Sequence, residues 1–144
     1  MTFKLPTELE DLIADGHWPT EGRHVKSQNS EAIIPRELVR QVFPDESLFC
    51  FCLPPFPALS EIQGEEVWRS ETARPDQLNH STALVLGDFE LGSDSAVILD
   101  YEADALDPPV KWLRYEGYSH TYWDTACKNF RELSDRLKLR NLTF

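Results

Sequence analysis

The sequence predicts an α+β fold: a central, mainly antiparallel sheet flanked by short N-terminal helices and a C-terminal amphipathic helix. Three observations predict it. Two apolar runs, Ala83–Leu86 and Ala96–Leu99, flank a turn-forming segment, Glu90–Ser95, that contains Gly92, which is a hairpin pattern. Helical spacing of apolar residues comes early and late in the chain, with strand-like runs clustered between. The strands are joined by a hairpin rather than by helical crossovers, which favours an antiparallel sheet.

The elements follow in order. Residues 7–15 read as a short helix, with Thr7 as cap, Glu10 three positions on, Gly16 at the end and Leu9, Leu12 and Ile13 as its apolar face. The polar stretch 17–29 is irregular, with Trp18-Pro19 as an anchor. Pro35 to Phe43 reads as a second helix, with Pro35 in its first turn and a Leu38, Val39 and Val42 stripe. Ser47 to Leu53 is an apolar strand, ended by Pro54, Pro55 and Pro57 because proline cannot donate to a sheet ladder. Glu61 to Thr72 is a weaker helical pattern containing Gly64, and 73–81 is loop. The hairpin pairs Thr82–Gly87 with Ala96–Tyr101. An acidic loop, 102–109, leads to the strand Val110–Tyr115, which places Val110, Trp112 and Arg114 on one face. After a turn at 116–120, the last helix is expected to start at Thr121, with Asp124 completing its capping box. Trp123, Ala126, Cys127, Phe130, Leu133 and Leu137 form its stripe.

The 144 residues fit one domain, 1–144, and 41% apolar content with 16 aromatic residues marks a globular chain. The formal net charge is −11. It is concentrated in the middle: residues 81–109 hold seven acids and no Lys, Arg or His. Such a block repels nucleic acid and anionic lipid and attracts a basic protein, or it is simply a solvated face. Three cysteines, Cys50, Cys52 and Cys127, are an odd count and fit buried free thiols in a reducing compartment. The acidic start, MTFKLPTELEDLIADG, lacks the apolar core of a signal peptide, and no run reaches membrane-spanning length. A cytoplasmic location is expected.

No catalytic constellation emerges. Asp88, Glu90, Asp94 and Asp100 are acids without an accompanying histidine, and Asp94 with Ser93 and Ser95 is better explained by turn chemistry than by metal binding. His17, His24, His80 and His120 stand at no metal-ligand spacing. Gly87 and Gly92 form no phosphate loop, and Ser93 and Ser95 no nucleophile elbow. No cofactor and no metal site are expected.

A set of residues spread over most of the chain resembles the SUKH superfamily, whose members include a yeast cell-wall assembly regulator and many bacterial toxin-immunity proteins. The matching residues are Leu5-Pro6, Trp18-Pro19, Gln28-Asn29, Pro54-Pro55-Phe56, Pro109-Val110, Trp123 and the terminal Ala126, Phe130, Leu133 and Leu137. The specific part is the core GDF-x-LGSDS-x-x-x-LDY, running from Gly87 to Tyr101. The chain departs from the family at Glu90, where a small residue is common. The resemblance implies an α+β fold, no enzymatic activity, and, for many bacterial members, neutralisation of a cognate toxin, often a nuclease. A nuclease cleft is basic, so an acidic block can steer towards it and mask it. The expected partner is therefore a basic toxin domain, bound through Asp88, Glu90, Asp100, Glu102, Asp104 and Asp107, with Trp68 or Trp112 as an apolar anchor. The alternative is a regulatory or scaffolding module that binds a cellular protein.

Overall fold

The structure is a computed structural model that describes residues 3–62, 78–89, 95–115 and 121–144. The helical pattern at 61–72 (beyond Ile62), the turns at 90–94 and 116–120, and with them Trp68, Glu90 and His120, lie outside the described residues. Helices α1 (Thr7–Ala14) and α2 (Arg36–Val42) precede a five-stranded sheet of β1 (Cys50–Phe51), β2 (Ala83–Asp88), β3 (Val97–Asp100), β4 (Val110–Tyr115) and β5 (Thr121–Cys127). Helix α3 (Phe130–Leu137) closes the chain. Every neighbouring pair of strands is antiparallel, and the spatial order β1-β2-β3-β4-β5 is the chain order. The α+β class and the antiparallel sheet are as the sequence predicts.

Alternation along the strands feeds two cores. Leu84, Leu86, Val97, Leu99, Val110 and Trp112 face the three helices, whose apolar residues Leu9, Leu12, Val39, Val42, Phe130, Leu133 and Leu137 complete the larger cluster. Ala83, Val85, Ile98, Leu113 and Trp123 point to the opposite face and meet Leu59 and Leu78. With apolar side chains buried on both faces, β2 and β3 read as continuous apolar runs rather than alternating ones. Trp18 is the anchor expected of it. Its ring is buried against Phe51 and Phe56, and its indole N–H donates to the Cys52 carbonyl at 3.0 Å.

Three expectations need correction. The C-terminal helix does not start at Thr121. Thr121–Cys127 pairs with β4 along its whole length, with Trp123 opposite Leu113, and the helix begins at Phe130. Asn129 is its cap, and its side-chain oxygen accepts from the Glu132 N–H at 2.9 Å. The segment TYWDTAC is rich in β-branched and aromatic residues, and cross-strand packing outweighs a capping motif that is only local.

The apolar run Ser47–Leu53 forms a ladder only at Cys50–Phe51, which faces Asp88 and Gly87. Beyond it, the Cys52 N–H bonds the Leu86 carbonyl, and the chain turns away at Pro54-Pro55. It rejoins the same edge of β2 at Pro57 and Ala58. The outer side of β1 is covered by Gln28. Its amide oxygen accepts from the Phe51 N–H at 2.9 Å, and its amide nitrogen donates to the Phe51 carbonyl at 3.3 Å, in place of a further strand.

Helix starts are shifted as well. Pro6 and Pro35 occupy the N-cap positions of α1 and α2, and Thr7 makes no side-chain cap.

Candidate docking surface

The sheet delivers Asp100 and the acids that follow it to one end. Strand β3 finishes at Asp100, and β4 begins at Val110, so residues 101–109 must cross between antiparallel neighbours. Asp100 sets how they leave the sheet. It is only 4% exposed, and its carboxylate receives the Glu102 and Ala103 N–H groups on one oxygen and the Lys111 ammonium, at 2.7 Å, on the other. Lys111 is itself largely buried, so the pair is a charge-assisted contact shielded from water. Tyr101 then ties the crossing to the chain start. Its hydroxyl donates to the Lys4 carbonyl at 2.7 Å, and its ring lies against Phe3. Burial, with the Glu10 carboxylate as a lesser cause, pushes the Tyr101 phenol up to about 12.

The crossing itself is folded by its own side chains. One Asp104 carboxylate oxygen accepts from the N–H groups of Leu106 and Asp107, both at 2.9 Å. Those two donors hold the Asp104 carboxyl below its ordinary range. Asp107 accepts from the side-chain amide of Asn129, which also caps α3. Pro108 is buried, and the Pro109 carbonyl accepts from the Asp100 N–H. The outcome is a fixed loop with Glu102, Asp104 and Asp107 exposed together and Leu106, 88% exposed, at its crest.

The residues named from the sequence therefore part company. Glu102, Asp104 and Asp107 share one exposed loop. Asp88 stands apart from them at the end of β2, half-buried beside β1, where its charge helps raise the Cys52 thiol. Asp100 and Trp112 do not reach the surface. Asp100 is spent on bracing the loop, and Trp112, 4% exposed, is wedged edge-on between Phe43 and Phe89. Glu90 and Trp68 lie outside the described residues. Leu106 gives no signal in the sequence, because a single Leu among acids and prolines carries no periodicity. The spacing Asp104–Asp107 around it is, however, a legible side-chain-to-backbone turn signal.

A notch of about 300 Å³ separates the loop from the start of α1 and is bordered by Leu106, Asp107, Thr7 and Asp11. On its far wall, buried Glu8 is held by Arg140 at 2.8 Å, by Arg131 at 3.3 Å and by the Ser134 hydroxyl at 3.2 Å. These contacts fasten α1 to α3 and to the turn after it, and they engage the two arginines that line the notch.

Burial disfavours the thiolate at two of the three cysteines. All three are free, and Cys52 and Cys127 are each raised to about 11, chiefly by burial. Among the described residues no group of three His, Cys, Asp or Glu side chains is placed to hold a metal ion. None of the described helices is long and apolar enough to cross a membrane. Comparison of the chain with protein-family models, curated proteins and solved structures returns no match.

Proposed function

We propose that this chain is a SUKH-like, non-catalytic protein-binding domain, an immunity protein that neutralises a basic toxin domain through its acidic loop. The observation that carries the reading is the loop at 102–107. Three exposed carboxylates share one loop with an exposed leucine, on a backbone braced by Asp100 and Asp104 within the chain itself. A preformed anchor loses little conformational freedom on binding, and a cluster of one charge sign steers an oppositely charged partner. Leu106 offers the loop an exposed apolar anchor where Trp112, expected in that role, is buried. The resemblance around Gly87–Tyr101 supplies the class of partner, a toxin with a basic, nucleic-acid-binding cleft.

The test is rescue of growth. The protein that the wild-type chain captures is expressed alone and then with the chain. The proposal expects growth arrest in the first case and recovery in the second. It expects no recovery with Glu102→Lys/Asp107→Lys, two exposed positions whose exchange leaves the Asp100 and Asp104 braces in place. A captured housekeeping protein that does not arrest growth contradicts the immunity reading and favours a scaffolding module.

A further inference from the structure

A second concave surface lies on the other side of the N-terminal segment. It is a groove of about 290 Å³ whose walls are Phe3, Leu5, Pro54, Pro55, Phe56 and Leu84. Among the described residues, Glu61 is the only charged one that lines it. We propose that this groove receives an arginine side chain from the basic partner, with the stem along the apolar walls and the guanidinium at Glu61. The inference rests on the reading of the chain as a domain that binds a basic protein, and it names the chemistry of one contact.

Charge and shape select the occupant. Glu61 is exposed, and its Oε1 accepts from the Ala58 N–H at 2.9 Å, which fixes the carboxylate on the short turn Leu59–Glu61. No described cation forms an ion pair with it. An acidic ligand is repelled there, and a purely apolar one strips water from the carboxylate without replacing its hydrogen bonds. A cation on an apolar stem satisfies both walls and rim. Arginine fits better than lysine, because its planar, weakly hydrated head group is suited to aromatic surroundings and to a carboxylate at once. The position is also apt. Phe3, in the groove wall, lies 4.8 Å from the ring of Tyr101, the residue that opens the acidic loop. A basic surface that covers both the loop and the N-terminal segment would reach the groove.

The test is a titration followed by backbone amide NMR, with N-acetyl-arginine amide and its uncharged citrulline counterpart as probes. The expected result is saturable shifts at Phe3, Leu5, Phe56 and Glu61 with arginine, and none with citrulline. The shifts should vanish in Glu61→Gln, which keeps an Oε1 acceptor for Ala58 and removes only the charge. Equal shifts with both probes, or none with arginine, overturn the proposal. A hepta-arginine peptide separates the two levels of the argument. Shifts in both the groove and residues 102–107 support both. Shifts in the loop alone overturn the groove and leave the acidic docking reading standing, and shifts in neither remove that reading as well.

Discussion

Gly87 shows what a single side chain would do to this sheet. A Cβ there would strike the Cys50 carbonyl oxygen and come within 2.9 Å of the Phe49 ring, because β1 closes tightly over β2 at that point. Gly87→Ala is therefore expected to cost at least about 2 kcal/mol, read as a lower urea midpoint at unchanged slope. Asp100→Ala is expected to cost about 2–4 kcal/mol, since it leaves Lys111 without its partner and releases two backbone donors of the loop. Glu102→Ala, two residues away and exposed, should change stability by less than about 0.5 kcal/mol. The same contrast explains what sequence could not separate. Asp100 and Glu102 belong to one acidic block, and nothing local tells the buried acid from the exposed one. The difference lies in the register of β3 on β4, which sets Ile98 opposite Lys111 and brings the ammonium to Asp100. The burial of Trp112, expected as an anchor, is hidden from sequence for a related reason: its neighbours Phe43 and Phe89 are distant along the chain.

At the scale of elements, local signals predict the structure where they agree with tertiary pairing. Leu9 and Leu12 mark α1, and the runs around Leu84 and Ile98 mark β2 and β3, as expected. The reading failed at Thr121–Cys127, where a Thr-x-x-Asp box and an apolar spacing compatible with a helix compete with strand pairing to β4. Two substitutions distinguish the assignments. Asn129→Ala removes the true cap and should cost about 1 kcal/mol. Thr121→Val should leave the melting temperature unchanged or raise it, because the Thr121 hydroxyl is buried with no hydrogen-bond partner among the described residues. A helix capped by Thr121 would lose stability in that variant.

At the scale of the molecule, pH reports how completely the interior excludes charge. The Cys52 and Cys127 thiols, raised to about 11, and the Tyr101 phenol, raised to about 12, are harder to ionise folded than unfolded. The protons they hold stabilise the fold fully below their unfolded values near 9 and 10, and that stability is lost as pH rises through 11 and 12. The urea midpoint should accordingly fall from about pH 9 upward, and thiol reagents at pH 8 should label the native chain far more slowly than the unfolded one. Asp104 acts in the opposite sense. Its carboxyl is lowered by the loop N–H groups, so the order it gives the loop is present near neutrality and lost as pH falls through its folded value.

The net charge of −11 and the empty stretch of cations from 81 to 109 make one central claim: a basic partner is drawn to the loop at 102–107. The most direct measurement is the association rate of the captured partner at low and high salt, for the wild-type chain and for Glu102→Lys/Asp107→Lys. The account predicts a rate that falls steeply with salt in the wild type, and a loss of about tenfold or more at low salt in the variant. Equal rates for the two chains at low salt, with no salt dependence in either, would contradict it.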